Sequence, residues 1–158
     1  MIQEHNGIKY KFFWSGIFSN WHISDFIVDG VSYSSGEQYM MYQKALTFND
    51  IETADEILEE IMPNFQKQLG RKIKNFDSKI WNDVKYELIK KGLREKFSQN
   101  SNLKLYLLKY KDYQIVEASP EDKIWGIGFY ANLAISNIDF WGENLLGKIL
   151  TELAQEIK

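Results

Sequence analysis

The sequence predicts a helix-rich α+β fold with a small β-sheet, held in one domain spanning residues 1–158. Three patterns carry that expectation. Aromatic and β-branched residues cluster in strand-like runs up to Tyr33. From Ser34 onward the apolar residues recur at three- and four-residue steps instead. A last strand-like run at residues 113–118 precedes a closing amphipathic helix.

Taken in order, residues 8–14 read as an aromatic-rich strand and residues 26–33 as a hairpin. Its Asp29-Gly30 pair tolerates the positive φ angles of a two-residue turn. Ser34, followed three residues later by Glu37, has the form of a capping box. Met40, Met41 and Ala45 give the helix behind it an apolar face. A second helix is expected over residues 51–61, with apolar Ile51, Ala54, Ile57, Leu58 and Ile61. Pro63 suits the first turn of a third, ending near Ile73. The longest begins after Asp77 or Ser78 and aligns Trp81, Val84, Leu88 and Leu93, with Gly92 weakening it late. Asn100 or Ser101 starts a shorter helix through Leu108. Residues 119–141 read mostly as loop, and residues 144–157 as the final helix.

Composition narrows the functional classes. Hydrophobic residues at 44% and charged residues at 26% describe a globular chain. Cysteine is absent, which excludes a disulfide scaffold, a thiolate nucleophile and a cysteine-based zinc site. Two histidines, His5 and His22, are too few for a histidine-rich centre, so neither metal nor cofactor is expected. A net charge of −3 gives no broad basic footprint for nucleic acid, although Lys and Arg cluster between Lys67 and Lys96. No secretory pattern and no run of 18 apolar residues is visible, so a cytoplasmic protein without membrane contact is expected.

Four segments stand apart from routine packing. Phe18-Ser19-Asn20-Trp21 is a polar-aromatic loop, where Asn20 either fixes a turn or reads a ligand hydroxyl. Glu37 and Lys44 lie seven residues apart on nearly one helix face, roughly 10 Å along the axis. Such a carboxylate and amine bracket a sugar more readily than they pair. Capping alone accounts for Glu37, and a solvated surface position for Lys44. In the stretch from Glu117 to Gly128, Asp122 serves either as general base or as turn cap. Trp125 either stacks on a base or fills core, and Gly126 lets backbone come close. Asn144 sits where it would cap the final helix, whose first amides would then form an anion site. Arg71 has the forked donors of a phosphate clamp, or makes a surface ion pair.

Together and in this order, the segments FSNW, SGEQYMMYQKA, LGR, LREKFSQN, IVEASPEDKIWGIG and WGENLLG resemble the NADAR superfamily, which contains the YbiA-like N-glycosidases. The likeness runs from about Phe12 to Leu150. It implies a metal-free hydrolase of N-glycosidic bonds with site positions at Asn20, Glu37, Lys44, Arg71, Asp122, Trp125, Gly126 and Asn144. One departure is Ala154, where many relatives carry arginine.

The expectation is therefore hydrolysis of a ribosylated nitrogenous base, with Glu37, Lys44 and Asp122 catalytic. Asn20, Trp21, Arg71, Trp125, Gly126 and Asn144 are expected to hold substrate. One branch implied by the resemblance clears ribosylamino-pyrimidine phosphates of riboflavin biosynthesis. The alternative branch removes ADP-ribose from guanine in nucleic acid. A non-catalytic ADP-ribose or NAD-binding module would keep Trp125 and Arg71 without needing the three catalytic side chains together. Two chemical routes stay open: a carboxylate pair, Glu37 with Asp122, and attack by the Lys44 amine to give a Schiff base.

Overall fold

A computed structural model describes all residues, 1–158. The elements follow as β1 (Ile2–His5), β2 (Ile8–Phe13), β3 (Ile23–Val28), β4 (Val31–Ser35), α1 (Gly36–Thr47), α2 (Ile51–Glu59) and α3 (Pro63–Gly70). Then come α4 (Ser78–Gln99), α5 (Ser101–Lys109), β5 (Gln114–Glu117), the short α6 (Ala131–Ala134), a 3₁₀ segment (Ile135–Phe140) and α7 (Leu145–Glu156). The architecture is α+β, as expected. Two small sheets replace the one expected. The chain forms two compact units: Met1–Ser19 with Ser101–Lys158, and Asn20–Asn100.

In the unit of Asn20–Asn100, β3 and β4 form an antiparallel hairpin. Asp29 and Gly30 both take positive φ (49° and 81°), as the turn chemistry requires. Beyond it the side chain of Gln99 both accepts from the Ile27 amide (2.8 Å) and donates to its carbonyl (2.7 Å). The end of α4 thus occupies hydrogen-bonding groups of β3 that would otherwise be left open. Helix α4 runs unbroken through Gly92, on which the ring of Tyr39 lies directly. A Cβ there would stand 2.1 Å from Tyr39 Cε1.

The capping box is displaced by one residue from the expected Ser34–Glu37 pair. Strand β4 keeps Ser35 extended, so Ser35 is the N-cap, and its side chain accepts from the Gln38 amide at 3.0 Å. Gln38 is buried and donates through Nε2 to the carbonyls of Ile57 (3.0 Å), Leu58 (3.2 Å) and Glu60 (3.1 Å). Its Oε1 accepts from the Ser34 amide at 2.7 Å. One side chain therefore satisfies the C-terminal carbonyls of α2. Gln38→Ala is expected to destabilise the protein by about 3 kcal/mol, since buried carbonyls lose their donors at roughly 1–3 kcal/mol per unpaired group. Urea unfolding would show this as a lower midpoint at unchanged slope.

In the other unit, β1 pairs antiparallel with β2, and β2 pairs parallel with β5 in the register Tyr10↔Gln114 to Phe13↔Glu117. Tyr10, Phe12, Val116, Ala118, Ile127 and Ala134 form the core beneath this sheet. Trp141 stands edge-on to both Tyr10 and Phe12, and its indole N–H donates to the Ala134 carbonyl at 2.8 Å. Ala154 is buried on α7. No helix in the structure is long and apolar enough to cross a membrane.

Candidate functional site

The unit of Asn20–Asn100 brings three of the expected polar residues into one electrostatic cluster. The N-cap hydrogen bond of α1 runs from the Gln38 amide to the Ser35 side chain, so the expected Ser34–Glu37 capping box is not what forms here. Glu37 sits only 4% exposed in the first turn of α1. Two turns on, Lys44 is half-buried. Its ammonium donates to the Gly70 carbonyl at 3.3 Å and lies 4.5 Å from the centroid of the Phe76 ring. Burial lowers the Lys44 pKa; the nearby Glu37 charge raises it in opposition, and the Arg71 charge lowers it further. Lys44 is thus not the solvated surface lysine that composition favours.

Asn20 lies at the base of the same helix. Its backbone carbonyl accepts from the Glu37 amide at 2.9 Å. Its side chain packs on Gly36, where a Cβ would come within 2.6 Å of Asn20 Oδ1. That oxygen is buried and has no hydrogen-bond partner. The backbone, not the amide oxygen, therefore makes the link to α1, and an acceptor is left beside Glu37. A buried acceptor in this state suits a donor arriving from a ligand. Trp21 is 46% exposed, with the Lys67 ammonium 6.0 Å from its ring centroid. Arg71, the C-cap of α3, is exposed.

Asp122, Trp125, Gly126 and Asn144 belong to the other unit, where Asp122, Gly126 and Asn144 each have a local structural task. Asp122 Oδ1 accepts from the amides of Ile124 and Trp125, both at 2.9 Å, which is the turn-capping arrangement. Trp125 is half-buried. Gly126 has no room for a side chain: a Cβ would stand 2.8 Å from the Glu117 carbonyl oxygen and 3.0 Å from that of Asp122. The close approach anticipated for the glycine is thus made by this chain's own backbone.

Asn144 corrects an expectation. It occupies the N-cap position of α7 in a left-handed conformation (φ 52°), yet its side chain makes no cap hydrogen bond. Its Oδ1 instead accepts from the Glu117 amide (3.0 Å), and its Nδ2 donates to the Ile115 carbonyl (3.2 Å), tying the helix to β5. The expected anion site at this helix start is not formed either. The amides of Leu145 and Leu146 already donate to the carbonyls of Ile124 and Trp125, both at 3.1 Å.

The basic cluster of residues 67–96 also differs from its expected form. Lys96 is fully buried, with a pKa pulled down by burial to about 8. Lys85 is buried against Asn82, and Lys91 pairs with Asp29 at 2.6 Å. The amines of Lys85 and Lys96 are not displayed to a polyanion.

The domain model named NADAR matches residues 12–158. The chain belongs to the NADAR domain family. Among similar proteins, one from Acanthamoeba polyphaga mimivirus named as an N-glycosidase is 44% identical over 148 residues, covering 89% of this chain and 86% of that one. The N-glycosidase YbiA of Escherichia coli is 31% identical over 142 residues, covering 90% of this chain and 81% of YbiA. The NMR structure of E. coli YbiA superposes with a TM-score of 0.78 at 30% identity, covering 94% of this chain and 84% of that chain.

Two residues of this NADAR domain escaped the sequence reading. Phe76 and Gly70 set the environment of Lys44, one through its ring and the other through its carbonyl. Gly70 precedes Arg71 in the Leu-Gly-Arg run, so a signal stood beside a residue already singled out. Met41 packs on this glycine: a Cβ at that position would lie 2.0 Å from its sulfur, so the Met41 side chain would have to move.

Proposed function

We propose that this NADAR domain is an N-glycosidase that hydrolyses the C–N bond between ribose and a nitrogenous base, using Lys44 as the nucleophile. The observation that carries the proposal is the environment of Lys44: an amine kept below its ordinary basicity by burial, with the buried carboxylate of Glu37 close enough to act on its charge. A binding module for ADP-ribose has no need of such a pair. The names borne by the mimivirus and E. coli relatives support the same reaction class.

In this reaction the neutral Lys44 amine attacks the anomeric carbon as the C–N glycosidic bond breaks. The bond electrons leave with the base, which takes up a proton. The ribose ring opens to a protonated imine on Nζ, and water then releases the sugar and restores the amine. We assign to Glu37 the movement of protons in these steps, on the strength of its nearness to Lys44. The unpartnered Asn20 Oδ1 accepts from a sugar hydroxyl, and Arg71 holds phosphate with its forked donors.

For the substrate we propose ribosylamino-pyrimidine phosphates. A Vibrio vulnificus protein named for riboflavin biosynthesis is 29% identical over 143 residues, which cover 90% of this chain and 36% of that protein. Burial of Lys85 and Lys96 takes two amines out of the basic cluster that would favour ADP-ribosylated nucleic acid as the substrate. The test is release of free base from a panel containing ribosylamino-pyrimidine phosphate, NAD and ADP-ribosyl-guanosine. Turnover of the first, reduced at least a hundredfold in Glu37→Gln, is expected for a general acid–base group worth roughly 10²–10⁴ in rate. No base released from any of the three by the wild-type protein would overturn the proposal.

A further inference from the structure

The unit of Met1–Ser19 and Ser101–Lys158 contains a cavity of roughly 510 Å³ unrelated to the residues assigned above. Its volume lies within the range of about 300–1,000 Å³ usual for small-ligand sites. Residues from β2, the loop after it, α5 and the start of α6 line it. We propose that this cavity binds a nucleotide, with the base against Trp14 and Tyr130 and the phosphate on Lys11.

Two features support this ligand chemistry. The first is aromatic surface that the fold does not use. Trp14 is 51% exposed and Tyr130 50% exposed, and their rings meet edge to face with centroids 5.6 Å apart. In an edge-to-face pair one ring keeps a face open. Half-exposed rings lining a cavity are a poor use of apolar area unless something flat covers them. The second feature is charge. The chain has 22 acidic residues against 19 Lys and Arg, yet the lining includes Lys11 and no Asp or Glu. The Lys11 ammonium is held 4.8 Å from the centroid of the Tyr110 ring and 6.0 Å from that of Tyr106. A cation fixed over phenol rings, with no carboxylate in the lining, is matched to an anion. One molecule that meets both demands is a planar heterocycle carrying phosphate, and a nucleoside monophosphate is the smallest common example. This inference stands independently of the N-glycosidase proposal, because it uses none of the same residues.

The test is an NMR titration of the full chain with AMP, with adenosine and with inorganic phosphate. AMP is expected to shift the Trp14 indole signal and the amides of Tyr130 and Ala131, with adenosine roughly tenfold weaker. Trp14→Ala is expected to weaken AMP by about tenfold, the lower range for loss of one stacking partner. Lys11→Gln, which keeps much of the aliphatic stem over the rings, is expected to erase the difference between AMP and adenosine. Tyr130→Ala alters an exposed side chain and serves as a second aromatic variant should Trp14→Ala not fold. Lys44→Ala is expected to bind AMP like the wild type. The proposal is overturned if AMP leaves these signals unmoved at millimolar concentration. It is equally overturned if Lys11→Gln and the aromatic variants titrate like the wild type, or if Lys44→Ala abolishes the shifts.

Discussion

Lys44→Ala is expected to lose base release by about three orders of magnitude or more, because a missing nucleophile cannot be replaced by positioning alone. Borohydride added during turnover should leave a reduced sugar on the wild-type protein and none on Lys44→Ala. Equal trapping by both would eliminate Lys44 as the attacking group. The pH profile offers a separate check. Attack needs the neutral amine, so the rate rises as pH climbs through the Lys44 pKa, which burial places below the ordinary lysine value. The Glu37 charge holds that pKa up, so Glu37→Gln should move the rising limb to lower pH even as the maximal rate falls. The Arg71 charge pushes it down, so Arg71→Ala should move the limb to higher pH. Opposite displacements from two neighbours are difficult to obtain unless Lys44 is the titrating group. Asp122→Asn keeps an oxygen for the Ile124 and Trp125 amides, and by the lysine route it leaves borohydride trapping intact.

Gly142→Ala is expected to cost about 3 kcal/mol or more, the upper end of overpacking penalties. An added Cβ would lie 2.2 Å from the Lys123 carbonyl oxygen and 2.6 Å from Lys123 Cα. These are backbone atoms and cannot rotate away. Around them the segment after Trp141 is laced to the Lys123–Ile127 loop: Gly142 donates to Ile127 (2.9 Å), Glu143 to Lys123 (2.7 Å) and Asn144 to Gly126 (3.1 Å). Relief of the clash would break these bonds and loosen the start of α7. Gly7→Ala is the control, because it faces open space and has only its positive φ of 76° to overcome. That conformation costs a non-glycine residue roughly 1–2 kcal/mol. Equal unfolding midpoints for the two variants would show that the contact at Gly142 carries no special weight.

Much of the local structure was legible in the chain. The Asp29-Gly30 turn, Pro63 opening α3, Asp77 capping α4 and the apolar spacing of α2 all follow from nearest-neighbour chemistry. Strand β1 lies outside the expected strands, although Asn6-Gly7, with φ angles of 51° and 76°, is a strong hairpin signal. The displaced capping box was not legible, because either Ser34 or Ser35 satisfies the pattern and only the length of β4 chooses between them. The short helical segments between residues 131 and 140 carry too few residues to show a period.

What the sequence determined by itself is the fold class, the order of the helices and the residue types available for glycosidic chemistry. The tertiary structure alone decided how these residues are used. It paired β2 with β5 across about a hundred residues, committed Asn144 to the backbone of β5, and buried Lys85 and Lys96. Above all, it set Lys44 against Gly70 and Phe76 from another part of the chain. The reason is physical: propensity and capping act between neighbours in sequence, whereas desolvation and electric field depend on whatever packs around a group in space.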